Sequence, residues 1–164
     1  MEISTDIPNI VRSVLSAHFT VFENTLPAKD GYEATQFLVK YPYDPRVRSE
    51  FVYHIQAETF ADGAKYLRFM AENTHFHEPE KRAFLIEMAQ TYHLQCPFPK
   101  VVVGEGDGVL KTYTEVNHVV RAGITPAIFE SWMKQFFASN FRYLCWLEET
   151  DHGHRIPSKG EESG

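Results

Sequence analysis

Apolar residues at Ile7, Ile10, Val11, Val14 and Leu15 recur at the three- and four-residue spacing of one helical face, and His18 closes the stripe. Thr5 or Asp6 can cap this first helix, with Pro8 in its opening turn. "FTVFENT" (19–25) is a short β-favouring run, followed by a polar loop through "LPAKDG". "ATQFLVKY" (34–41) alternates and predicts a strand stopped by "PYDPR" with its two prolines. "EFVYHIQAETF" and "AKYLRFMAE" predict two more strands joined across "ADG". Asp62-Gly63 favours a hairpin there because glycine accepts the positive φ of such turns. A helix over 61–72 is the competing reading, but the alternation of Leu67 and Phe69 with Arg68 and Met70 favours a strand.

Glu78, Pro79 and Glu80 open a second helix, whose apolar stripe is Phe84, Leu85, Met88, Ala89 and Tyr92. "CPFP" ends it. Two strands then flank the glycine-rich turn "GEGDG", and Thr125-Pro126 starts a closing helix. The order α-β-β-β-α-β-β-α predicts an α+β domain over residues 1–149, an antiparallel sheet with helices. The sheet face with Tyr53, Ile55, Leu67 and Phe69 meets the helices as core, and the polar tail 150–164 reads as disordered.

The closing helix carries the strongest signal. Between Pro126 and Leu147 stand Phe129, Trp132, Phe136, Phe137, Phe141, Tyr143 and Trp146, seven aromatics in 22 residues. Placed at 100° per residue, the apolar side chains sweep about 220°, roughly twice the width a helix needs to lie on a sheet. This helix must therefore be covered from more than one direction: by the sheet and the first helix, or by the sheet and another chain. Asn140 falls near the centre of the stripe, either as a satisfied structural amide or as a polar key in a protein–protein contact.

Composition narrows the field without naming a function. A net charge of −6 recommends neither nucleic acid nor an anionic membrane as partner. "MEISTDIPNI" lacks the basic start and apolar run of a signal peptide. Glu130, Lys134 and Arg142 interrupt the one segment apolar enough to suggest a membrane span. Two cysteines, Cys96 and Cys145, show no metal or redox spacing, and a reducing cytoplasm is the expected location.

Two segments carry a family resemblance. "EPEKRAFLIEMAQTYHLQCPFPKVVVGEGDGVLKTYTEVNHVV" resembles the helix and two-strand hairpin of the YbjN family, bacterial sensory-transduction regulators. "GITPAIFESWMKQFFASNFRYL" is similar to that family's closing segment, a Gly-x-Thr/Ser-Pro turn leading into a long apolar helix. The likeness covers about residues 78–147, and the first half matches by order of elements. Tyr92, His93, the "YPYDPRVR" insertion, the "HFH" element and the histidine-bearing tail depart from the pattern. The resemblance implies a fold like that of type III secretion chaperones, small acidic dimers that bind extended segments of client proteins. It also implies a non-enzymatic role.

Candidate chemistry is sparse. In "HFHEPE", His75 and His77 would share one side of an extended segment and could reach one metal ion, with Glu78, His93 or Cys96 completing the set. A polar strand end beside an acidic helix start (Glu78, Glu80) explains the same residues without metal. His152 and His154 form a second H-x-H in the tail. No nucleophile elbow, Cys-His pair or dinucleotide fingerprint is present. The expectation is a protein-binding module without cofactor, contacting a client or a second copy. Phe84, Met88, Tyr92, Trp132, Asn140, Tyr143 and Trp146 are its candidate contacts. A metal-dependent enzyme or sensor built on His75 and His77 is the alternative, and a structural domain of a larger assembly a third reading.

Overall fold

In the computed structural model, which describes residues 2–151 and 153–157, the alternating runs form a single sheet. The elements are α1 (Ile7–His18), β1 (Phe22–Lys29), β2 (Tyr32–Asp44), β3 (Ser49–Thr59), β4 (Lys65–Asn73), α2 (Arg82–Gln95), β5 (Lys100–Gly106), β6 (Val109–Val119) and α3 (Pro126–Asp151). The fold is α+β, with six antiparallel strands in the order β1-β2-β3-β4-β6-β5.

Four strands, not three, precede α2. β1 takes residues 22–25 from the β-favouring run and 26–29 from the segment read as a polar loop; it pairs with β2 from Phe22↔Leu38 onward and turns at Asp30-Gly31. Both turn residues have positive φ (52° and 79°), the conformation that a two-residue hairpin requires. Pro42 does not stop β2 either. The strand runs on to Asp44, and its pairing with β3 becomes irregular between Tyr41 and Asp44. Between β3 and β4 the hairpin prevails over the helix, with unbroken register from Phe51↔Asn73 to Thr59↔Lys65.

The inner face of the sheet and all three helices share one core. Phe37, Val39, Phe51, Tyr53, Ile55, Leu67 and Phe69 meet Ile10, Val11 and Leu15 of α1, Leu85 and Met88 of α2, and Phe129, Met133, Phe136 and Tyr143 of α3. The width of the aromatic arc follows from the central position of α3. Phe136 faces the sheet between Tyr53 and Phe69, with ring centroids 6.0 and 5.5 Å away. On one flank Phe137 packs against Phe19 just past α1 and stacks on Tyr53. On the other, Trp146 lies 5.0 Å from Tyr92 of α2. Trp132 stacks flat on His118 at 3.9 Å. The second direction of cover is thus supplied by this chain's own helices.

Candidate functional site

Beyond β4 the backbone stays extended: His77 exchanges two 2.8 Å hydrogen bonds with Leu110. Alternation then points both His75 and His77 inward, as their spacing predicts, and both rings are fully buried. They converge on Asp151 in the last turn of α3. His77 Nε2 lies 3.1 Å from both carboxylate oxygens, while His75 Nδ1 is 3.6 Å from Oδ2 and its Nε2 donates to the Val47 carbonyl at 2.9 Å. Burial alone would raise the Asp151 carboxyl; hydrogen bonding from His75 and His77, together with their charge, outweighs it and holds the group well below the usual carboxylate range.

The other proposed ligands lie elsewhere. Glu78 and Glu80 are exposed, His93 accepts from the Val101 N–H at 2.8 Å, and Cys96 is a free, half-buried thiol. Among the described residues, no group of three or more His, Cys, Asp or Glu side chains could hold a metal ion. The geometry ties chain segments together: it pins the end of α3 to the β4–α2 connection.

The strap continues past α3. At Gly153 (φ 83°) the chain turns, His154 stacks on Phe84 at 4.1 Å, Arg155 donates to the Arg48 carbonyl, and Ile156 N–H donates to the Phe76 carbonyl at 2.7 Å. The described part of the segment read as a disordered tail is therefore packed onto the domain. His152, half of the second H-x-H, and residues 158–164 lie outside the described residues.

The candidate contact residues divide. Met88, Tyr92, Asn140 and Tyr143 are enclosed by their own chain and present no surface to a partner. Asn140 is a structural amide: its Oδ1 accepts from Thr114 Oγ1 at 2.7 Å, and its Nδ2 donates to the Tyr53 hydroxyl at 3.4 Å. Phe84, Trp132 and Trp146 are half-buried at the margins of the helical layer.

The surface that the sequence reading passed over is the other side of the sheet. Among the described residues no helix packs there. His54, Gln56, Glu58, Arg68 and Glu72 alternate with the core residues and interact across the strands instead. One hydrogen-bonded row crosses four strands. Gln36 Nε2 donates to His54 Nδ1 (3.2 Å), which leaves the ring proton on Nε2 to reach Glu72 (3.1 Å), and Lys111 Nζ donates to Glu72 at 3.0 Å. The hydrogen bond from His54 lowers Glu72 to about 2, against the opposing effect of burial and with help from Lys111. A carboxyl depressed in the folded state adds stability that is full above its unfolded pKa of about 4.3 and is lost as pH falls toward the folded value. Glu72→Gln should therefore flatten the fall in urea-unfolding stability between about pH 4.5 and 2. An unchanged slope would show that the row contributes nothing.

The two sheet edges differ. β1 is guarded by Pro27, by Lys29 and by a register irregularity between Leu26 and Lys29. β5 carries Val101, Val102 and Val103, has no proline, and pairs with β6 without a shift. His93 takes the Val101 N–H, so that group faces away from β6, and alternation turns the N–H groups of Val103 and Glu105 to the same free side.

No helix among the described residues is long and apolar enough to cross a membrane. The chain matches no protein-family model, no curated protein and no solved structure.

Proposed function

We propose that this protein is a non-enzymatic interaction module, regulatory or chaperone-like, that works as a homodimer joined along the free edges of β5. The observation behind this reading is a sheet covered on one face only and guarded at one edge only. Antiparallel self-pairing about Val103 sets the Lys100 end of one strand beside the Glu105 end of the other, and a two-fold contact of this kind is self-complementary. Two open sheet faces then adjoin and offer a continuous surface to a client protein. The resemblance to the YbjN family and to the small acidic secretion chaperones leads to the same reading. Both cysteines are free, which suits a reducing cytoplasm.

Light scattering on the purified chain tests the dimer. The expected result is twice the 18.9 kDa of one chain. Val103→Pro removes an N–H that β6 does not use, so it should yield a folded monomer whose unfolding midpoint falls only by what dimerisation contributes. Val102→Pro removes a ladder hydrogen bond to β6 and should destabilise the fold itself. A wild-type chain that stays monomeric at about 1 mM, or a Val103→Pro variant that remains dimeric, would overturn the proposal.

A further inference from the structure

At the end of the open face, where the β3–β4 hairpin meets β6, lies a cleft of about 590 Å³. This is within the roughly 300–1,000 Å³ range of small-molecule sites. Glu58 and Arg68 form its floor, Phe60 and Tyr66 stand edge-to-face as a wall with ring centroids 5.5 Å apart, and Asp62 and Asn117 close the rim.

Glu58 is 4% exposed, yet only one of its oxygens is engaged. Oε1 accepts from the Tyr32 hydroxyl at 3.2 Å and the Gln56 amide at 3.0 Å, and lies 3.6 Å from Arg68 Nη2. Among the described residues no hydrogen bond reaches Oε2. Oε2 therefore keeps its acceptor capacity for an N–H group that enters the cleft. Arg68 is under-used as well. Its Nε is buried without a partner among the described residues, its contact with Glu58 is long, and its side chain as a whole is 39% exposed. A guanidinium placed this way accepts a carboxylate.

The cleft thus sets an acceptor for a cation beside a donor for an anion, against an apolar aromatic wall. We propose that it binds a free zwitterion of the α-amino-acid class with an apolar side chain. The ammonium group meets Glu58 Oε2, drawn also by Asp62 at the rim. The carboxylate meets the Arg68 guanidinium, and the side chain lies along Phe60 and Tyr66. The cleft is complete within one chain, so this site does not depend on dimerisation.

Titration calorimetry on the full chain with four probes tests it: L-phenylalanine, phenethylamine (no carboxylate), 3-phenylpropanoate (no ammonium) and N-acetyl-L-phenylalanine (no charge on nitrogen). L-phenylalanine should bind at least about tenfold more tightly than each of the other three, a difference of about 1.4 kcal/mol. Glu58→Gln and Arg68→Gln should each weaken it by a similar factor. Because both residues also hold the sheet face together, Ala64→Trp gives an independent check: it fills the cleft from the hairpin and should abolish binding while the unfolding midpoint stays put. The proposal fails if an amine or acid alone binds as well as the zwitterion. It fails equally if N-acetyl-L-phenylalanine does, which would point to a peptide C-terminus. Absence of saturable binding at about 10 mM L-phenylalanine, or wild-type affinity in Ala64→Trp, also overturns it.

Discussion

Asp151→Ala is expected to lower unfolding stability by about 3 kcal/mol at neutral pH, from the loss of the carboxylate that hydrogen-bonds buried His77 and lies 3.6 Å from the buried His75 ring. Among the described residues His77 Nε2 has no other partner, and the Nδ1 atoms of both rings are buried without one. Asp151→Asn keeps one acceptor oxygen and should lose less than half as much. The acid side follows from the depressed Asp151 carboxyl. Its contribution is complete above the unfolded pKa of about 3.9 and disappears as pH falls through the lower folded value, so the wild type should lose more stability on acidification than Asp151→Ala does. Urea unfolding between pH 7 and pH 2 measures both effects. A loss below about 1 kcal/mol would mean that the strap beyond α3 holds without its carboxylate.

Phe136→Ala should cost about 3–5 kcal/mol, the range for emptying a well-packed aromatic site. Phe136 is 1% exposed and lies against Tyr53 and Phe69, in the middle of the layer between α3 and the sheet. Its cover comes from its own chain, so the loss should be independent of protein concentration. If the loss grew on dilution, part of that cover would have to come from a second molecule. Measuring the variant at two concentrations a hundredfold apart therefore tests the energetics of α3 and the source of its burial together.

Local chemistry made much of this architecture readable. Asp6 and Thr125 begin α1 and α3 as expected, because a side-chain oxygen there satisfies an otherwise orphan N–H. Strand alternation separated Tyr53, Ile55, Leu67 and Phe69 from their outward neighbours, and the former are core. Only the first half of β1 shows as a β-favouring run, and its second half resembles a loop, because an edge strand open to solvent has no apolar face to alternate: seven of its eight residues are exposed and it contains a proline. Asp30-Gly31 was the missed signal, the same dipeptide that marked the hairpin at Asp62-Gly63.

At the candidate sites the limit was distance along the chain. The pairing of His75 with His77 is local and visible, but Asp151 lies 74 residues beyond His77, and no spacing rule links them. Glu58 and Arg68 read only as the polar side of two strands. Whether such a side faces water or a second layer depends on where three helices settle, and that is a property of the whole fold.

Chain order gives the central position of α3 a kinetic meaning. A ribosome delivers all six strands before it delivers residues 126–151, so the part of the sheet's apolar side that α3 covers lacks that cover throughout that interval. Holding factors that shield such intermediates would have the most to gain from engaging this chain between the emergence of β6 and that of Leu147.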